Sequence, residues 1–181
     1  MYGLINKSIE GLITNQFGAE AWKIIKANAG TDSTNFVGLN YYPDDVTYEL
    51  VFKASEYLNI PVHQLLESFG EYWVLYVAEE GYGDFLKMGG DSLPEFLGNL
   101  NKMHATITKY MPELVVPRFE LAEQTSNSLH LHYYSTRKGL SAMVLGLVKG
   151  LGKKFNTPCT IALSSTNEVA EGTHDVFLVN W

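Results

Sequence analysis

The first two-thirds of the chain places apolar residues three and four positions apart, the spacing that gathers them on one face of a helix. The first of these stripes stops at Gly18, and a second short helix runs to Gly30. Pro43 and Pro61 each begin a further stripe, because proline fits the first turn of a helix, and the last stripe ends near Gly81. The pattern therefore predicts a helical N-terminal part.

A fifth stripe carries a histidine on its apolar side. Ser92 and Glu95 have the spacing of a capping box, which marks the start of a helix, and Pro112 ends the run. The stripe consists of Leu93, Leu97, Leu100, His104, Ile107 and Met111. A lone histidine in such a place is more often a packed core residue than a ligand. By itself, the helix leaves both interpretations open.

The last third of the chain changes its period. Apolar residues alternate with polar ones in 117–124 and 128–135, which predicts two strands joined by a turn at Ser126-Asn127. A helical stripe from Gly139 to Phe155 follows, and further strands are predicted near 159–165 and 175–181. The expected fold class is α+β, with an N-terminal helical lobe and a C-terminal lobe of helices and an antiparallel sheet.

Three polar residues close the second predicted strand. Tyr133, Ser135 and Arg137 stand two positions apart, so an alternating strand projects all three from the same face. A guanidinium beside two hydroxyls suits a carboxylate or a phosphate, because the fork donates paired hydrogen bonds. Each residue taken singly is as well explained by an ordinary strand face or by a solvated strand end.

Composition narrows the class of protein without deciding its function. The 181 residues suffice for one domain or two packed lobes, and 46% of them are hydrophobic. The net charge of −7 argues against nucleic acid or an anionic membrane as the main partner. The one cysteine, Cys159, excludes an internal disulfide. With no long apolar run and no basic N-terminal start, a cytoplasmic protein without a membrane span is expected.

The histidine and the Tyr-x-Ser-x-Arg run together resemble one family, the heme nitric oxide/oxygen-binding (H-NOX) domains, which are related to the sensor domain of soluble guanylate cyclase. The matching positions are His104 and Tyr133, Ser135 and Arg137. Further similarity lies in the opening 1–3, in 69–73 and in 145–147. The resemblance covers essentially the whole chain and is greatest to bacterial and cyanobacterial stand-alone members.

This resemblance implies a cofactor and a set of contacts to it. It implies a single heme domain over 1–181, with a helical lobe of about 1–65, a heme-binding lobe of about 66–181, and heme b between them. His104 is then the iron ligand, and the Tyr-x-Ser-x-Arg residues hold the propionates. Pro117 matches the proline that presses on the porphyrin. Ile5, Trp73, Val77, Met143 and Leu147 are implied to line the gas-binding side.

The implied gas is nitric oxide. Met143 falls where oxygen-binding members carry a tyrosine, and a thioether offers no hydrogen bond to bound O2. NO and CO depend less on such a donor, although the indole N–H of Trp73 is a second candidate donor. The family implies a histidine kinase or a cyclic-dinucleotide enzyme as partner. The expected function is a non-catalytic gas sensor; the alternative is a heme enzyme such as a peroxidase or an NO dioxygenase, which needs distal acid–base groups.

Overall fold

The computed structural model describes residues 1–31, 35–77 and 83–181, apart from the side chains of Val77 and Phe85. Helices and strands follow one another along these ranges as α1 Gly3–Phe17, α2 Ala19–Asn28, α3 Asp44–Leu58, α4 Val62–Val77, α5 Gly83–Lys87, α6 Leu93–Tyr110, β1 Arg118–Ala122, β2 Ser128–Ser135, α7 Ser141–Lys154, β3 Thr160–Val169 and β4 Gly172–Asn180. The predicted α+β class is confirmed.

Helix boundaries follow the local signals in the sequence. Ser92 caps α6, since its hydroxyl oxygen accepts the backbone N–H of Glu95 at 3.4 Å. α3 ends at Asn59, whose left-handed backbone (φ 53°) is a common way to terminate a helix. The predicted end of α4 near Gly81 lies outside the described residues. One short helix, α5, was not predicted, because five residues are too few to show a period.

Within the described ranges, the four strands form one antiparallel sheet in the order β1-β2-β4-β3. Burial along β2 alternates strictly, so Tyr133 and Ser135 face the core while His132 faces the other side of the sheet. The predicted first strand was too long at its C-terminal end. β1 stops at Ala122, because Glu123 adopts φ 48°, which an extended strand does not accommodate.

Among the residues that the structure describes, two hydrophobic clusters form the core. The N-terminal cluster packs helices α1, α2, α3 and α4 together. It includes Ile13, Ile25 and Leu50, each 0% exposed. The C-terminal cluster joins α5, α6 and α7 to the inner face of the sheet. Trp73 on α4 packs against both clusters. Helix α4 thus lies between helices α1 to α3 on one side and the sheet with α6 on the other. A division into lobes near residue 65 stays a prediction.

Helices α4 and α7 touch backbone to backbone. A Cβ added at Gly146 would lie 1.9 Å from the carbonyl oxygen of Glu67, and one added at Gly70 would lie 2.1 Å from that of Met143. Only glycine permits this approach. The contact brings α7 close to the helix that carries Trp73.

In the described part of the chain, no helix has the length and apolar character needed to cross a membrane.

Candidate functional site

His104 lies on α6 with its imidazole turned toward the sheet. Its ring centroid is 5.9 Å from that of Phe119 on β1, and Phe119 is in turn 5.4 Å from Tyr133 on β2. Three aromatic rings therefore connect the histidine helix to the first residue of the Tyr-x-Ser-x-Arg run. The structure thus links these two sequence signals, 29 positions apart in the chain, through the ring of Phe119.

The imidazole is held in an apolar place. Nδ1 of His104 is buried and makes no hydrogen bond in the described structure. Burial lowers the pKa of His104, and the nearby backbone of Pro117 opposes that change to a smaller extent. The histidine is therefore neutral at physiological pH, the state in which a ring nitrogen can bind a metal.

The two hydroxyl residues of the run are buried on the inner face of the sheet. Tyr133 is 4% exposed and Ser135 is 9% exposed. Burial raises the pKa of Tyr133, so its phenol stays protonated and able to donate. The hydroxyl oxygen of Ser135 accepts the backbone N–H of Arg137 at 3.1 Å, which shapes the chain as it leaves the strand. An ordinary outward strand face is thereby excluded for both.

Arg137 lies beyond the end of β2 and is not a solvated strand end, since its side chain is only 16% exposed. Its Nε donates to Asp44 Oδ2 at 2.6 Å, its Nη2 to Asp44 Oδ1 at 3.4 Å, and its Nη1 to the carbonyl of Val115 at 2.7 Å. The amino group of Met1 also contacts Asp44, at 2.6 Å. The guanidinium is thus fixed by an aspartate and a backbone carbonyl that lie far apart in the chain.

Asp44, in the first turn of α3, is a part of the site that the sequence did not indicate. Burial acts to raise the pKa of Asp44, but the hydrogen bonds and charges of Arg137 and the N-terminus outweigh burial and lower it. Asp44 and Arg137 stand 93 positions apart, so no local pattern pairs them.

Asp175 was also missed. It is 1% exposed and stands directly opposite Tyr133 in the pairing of β2 with β4. Its Oδ2 accepts the hydroxyl of Ser141, the first residue of α7, at 2.6 Å. Alternation along β4 places this carboxylate on the core face, but nothing in the sequence says what it touches there.

The proposed gas-binding residues lie where the two clusters meet. Ile5 and Met143 pack against the N-terminal cluster, Leu147 packs against the C-terminal one, and Trp73 against both. All four are partly buried and keep some accessible surface. The side chain of Val77 lies outside the described residues.

These features fit a heme group. The unpartnered nitrogen of His104 is the kind of atom that iron binds, and the partly buried apolar residues can cover a porphyrin face. Arg137 and Tyr133 could supply a positive charge and a hydroxyl donor to the carboxylates of such a group. The fold and the donor set are those expected of a heme-binding domain.

Comparison with known proteins identifies the family. The Haem-NO-binding family model matches residues 2–163. The chain belongs to this family, the H-NOX domains, which are heme-based gas sensors related to soluble guanylate cyclase. The resemblance inferred from the sequence is confirmed. The family consists of sensor domains rather than enzymes, and nothing found supports the heme-enzyme alternative.

Several curated relatives are soluble guanylate cyclases of Caenorhabditis elegans. The chain is 31% identical to gcy-35 over 161 residues, covering 86% of this chain and 23% of that protein. It is 32% identical to gcy-34 over 173 residues, covering 93% of this chain and 25% of the relative. The chain thus spans about a quarter of the length of the curated relatives that it matches.

Solved structures show the same fold. A doubly substituted Tt H-NOX protein superposes with a TM-score of 0.89 at 18% identity, covering 100% of this chain and 95% of that chain. An H-NOX protein from K. algicida superposes with a TM-score of 0.81 at 23% identity, covering 99% and 96%. An oxygen-binding H-NOX domain in its oxygen complex superposes with a TM-score of 0.85 at 19% identity, covering 99% and 94%.

Proposed function

We propose that this chain binds heme b between its two lobes, with His104 as the iron ligand, and senses nitric oxide. The observation that supports it most is the buried, unpartnered Nδ1 of His104 on a helix that faces the buried Tyr133. A polar ring in such surroundings costs free energy unless a bound group compensates for it. Heme held in this way would supply an iron able to bind a diatomic gas.

Arg137 is the residue proposed to neutralise the propionates. Its ion pair with Asp44 limits how many of its N–H donors are free to do so. A guanidinium has five N–H donors, and the three hydrogen bonds to Asp44 and Val115 leave about two of them. Those two can take a carboxylate while the pair with Asp44 persists. The carboxylate of Asp44 already balances the positive charge of Arg137. Tyr133 and Ser135 therefore contribute more to propionate binding than they would if Arg137 had no ion-pair partner.

Pro117 is proposed to press on the porphyrin from the histidine side. It is partly buried, immediately precedes β1, and its backbone lies close enough to His104 to influence the imidazole. A rigid ring at this position resists displacement, since proline has a fixed φ. The proline and the histidine therefore act on the same side of the site.

The preference for NO over O2 is proposed from Met143. Bound O2 carries partial negative charge, and a buried donor stabilises it by about 1.5–3 kcal/mol. Met143 and Leu147 offer none, and Ile5 completes an apolar wall. NO and CO lose less by this absence. The indole of Trp73 is the one distal N–H among the described residues proposed for this wall, so it decides how complete the exclusion of O2 is.

The remaining proposals concern context. We propose that the boundary between the lobes lies near residue 65, that the protein is cytoplasmic, and that it signals to a separate protein. A histidine kinase or a cyclic-dinucleotide enzyme is the class of partner that the family suggests.

The absorption spectrum of the purified protein tests this function. Wild type should carry noncovalent heme with a five-coordinate ferrous spectrum, and His104→Gly should lose that spectrum until imidazole is added. His63→Gly is the matched control, because His63 is exposed on α4 and the same substitution there should leave the spectrum unchanged. If His104→Gly keeps the wild-type spectrum without imidazole, the ligand assignment is wrong.

A further inference from the structure

Asp175 is a deeply buried carboxylate that the proposed function does not use. Only 1% of the residue is exposed. Oδ2 accepts one hydrogen bond, from the hydroxyl of Ser141 at 2.6 Å, while Oδ1 is buried and has no hydrogen-bond partner in the described structure. A buried carboxylate with unfilled acceptor capacity is costly, so its presence in the core calls for a physical reason.

Its position supplies that reason. Asp175 is paired with Tyr133 across β2 and β4, and its carboxylate meets the start of α7. Leu140, the residue that precedes α7, makes no side-chain cap to the helix. The first turn of a helix has free N–H groups and a partial positive charge. Asp175 therefore places, from a strand, a carboxyl group at the start of α7, whose own first turn holds no acidic residue.

The first turns of α7 also carry two proposed gas-binding residues. Met143 follows Ser141 by two positions and Leu147 follows it by six, and each packs against one of the two core clusters. The contact between Ser141 and Asp175 thus ties this part of α7 to the pair of strands that holds Tyr133. A shift at the start of the helix must move Met143, because a helical backbone transmits displacement along its axis.

We propose that Asp175 is a positioning residue that fixes the first turn of α7 through Ser141 and thereby sets where Met143 and Leu147 stand in the gas-binding pocket. The inference rests on the proposed function. It adds a determinant of ligand selectivity that lies on the sheet and makes no contact with the gas. Close packing of α7 against α4 holds the middle of the helix, and Asp175 holds its start.

Three substitutions test this role. Ser141→Ala removes the hydroxyl donor, Asp175→Asn keeps the shape but removes the charge, and Ser141→Thr keeps a hydroxyl and serves as the matched control. The rate of CO dissociation from the ferrous protein should rise by up to about fivefold in Ser141→Ala, the factor that corresponds to the whole of one lost hydrogen bond. It should rise by less in Asp175→Asn, whose amide oxygen can still accept the Ser141 hydroxyl. The infrared stretch of bound CO should shift with it. Ser141→Thr should restore the wild-type values.

A second measurement needs no bound gas. In the protein as purified, amide hydrogen exchange at residues 141–147 should become about fivefold faster in Ser141→Ala and should rise by less in Asp175→Asn, which keeps an acceptor oxygen. The double variant should show no more than the effect of Ser141→Ala alone, because both changes act on the same contact.

The outcomes separate the two proposals. If the wild type takes up no heme, the proposed function fails, and this inference fails with it. If the wild type binds CO but dissociation and CO stretch are unchanged in both variants, only the role of Asp175 is refuted. Loss of thermal stability with unchanged CO dissociation also refutes it, since a purely structural residue behaves in that way.

Discussion

Gly146→Ala should destabilise the protein, because it places a methyl group between two helix backbones. The added Cβ would lie 1.9 Å from the carbonyl oxygen of Glu67, and relieving this to an ordinary contact of about 3.4 Å separates α4 and α7 locally by about 1.5 Å. Overpacking of this kind costs about 1–3 kcal/mol. Alanine recovers about 0.5–1 kcal/mol of helix propensity.

The overpacking cost, before the gain in helix propensity is subtracted, falls toward the upper part of that range. The blocking atoms at Gly146 belong to the backbone of α4, which cannot rotate away as a side chain can. The ion pairs across the interface, Lys149 with Glu67 and Lys153 with Glu71, are solvent-accessible and add little. A net loss of about 2 kcal/mol corresponds to a fall in Tm of about 4–8 °C for a domain of this size.

Differential scanning calorimetry on wild type and two alanine variants measures this effect. Gly98→Ala on α6 is the matched control, because its nearest neighbour would be Leu121 Cδ1 at an unstrained 3.7 Å. That variant should gain about 0.5–1 kcal/mol, so its Tm should rise by about 1–4 °C. If both variants change Tm by the same amount and in the same direction, the close α4–α7 contact has no energetic significance and the reasoning fails.

Three further predictions concern the site itself. Arg137→Ala should lower heme retention more than Tyr133→Phe, because the guanidinium offers a positive charge and about two free N–H donors whereas the phenol offers one neutral hydroxyl; equal heme-to-protein absorbance ratios in both variants would contradict the propionate role. Met143→Tyr should increase O2 affinity about tenfold if its hydroxyl reaches the bound gas, as followed by the Soret band in air, whereas the wild-type ferrous protein should form no stable oxygen adduct. Asp44→Asn should lower stability most at neutral pH: the pKa of Asp44 is lowered in the folded state, so its stabilisation is complete above the unfolded value of about 3.9 and is lost as the pH falls through the folded value. Urea unfolding at pH 7 and pH 3 checks this, and a difference between wild type and variant that does not shrink at pH 3 would count against it.

The sequence determined the parts of the protein that depend on near neighbours in the chain. Helix α6 could be predicted from Ser92 to its end, because capping and amphipathic spacing act within a few residues. The inward direction of Tyr133 and Ser135 followed from the two-residue period of a strand. The combination of His104 with that strand identified the family, since both signals are local patterns at a characteristic separation.

Tertiary structure alone decided what those residues touch. Arg137 meets Asp44 across 93 positions, and Asp175 meets Ser141 across 34, and neither partner is marked in the sequence. Asp44 even has a sufficient local explanation as an acidic residue at a helix start, which hid its second role. Such pairs arise because packing two clusters leaves buried charges that must be compensated, and the compensating group comes from whichever element the fold brings near.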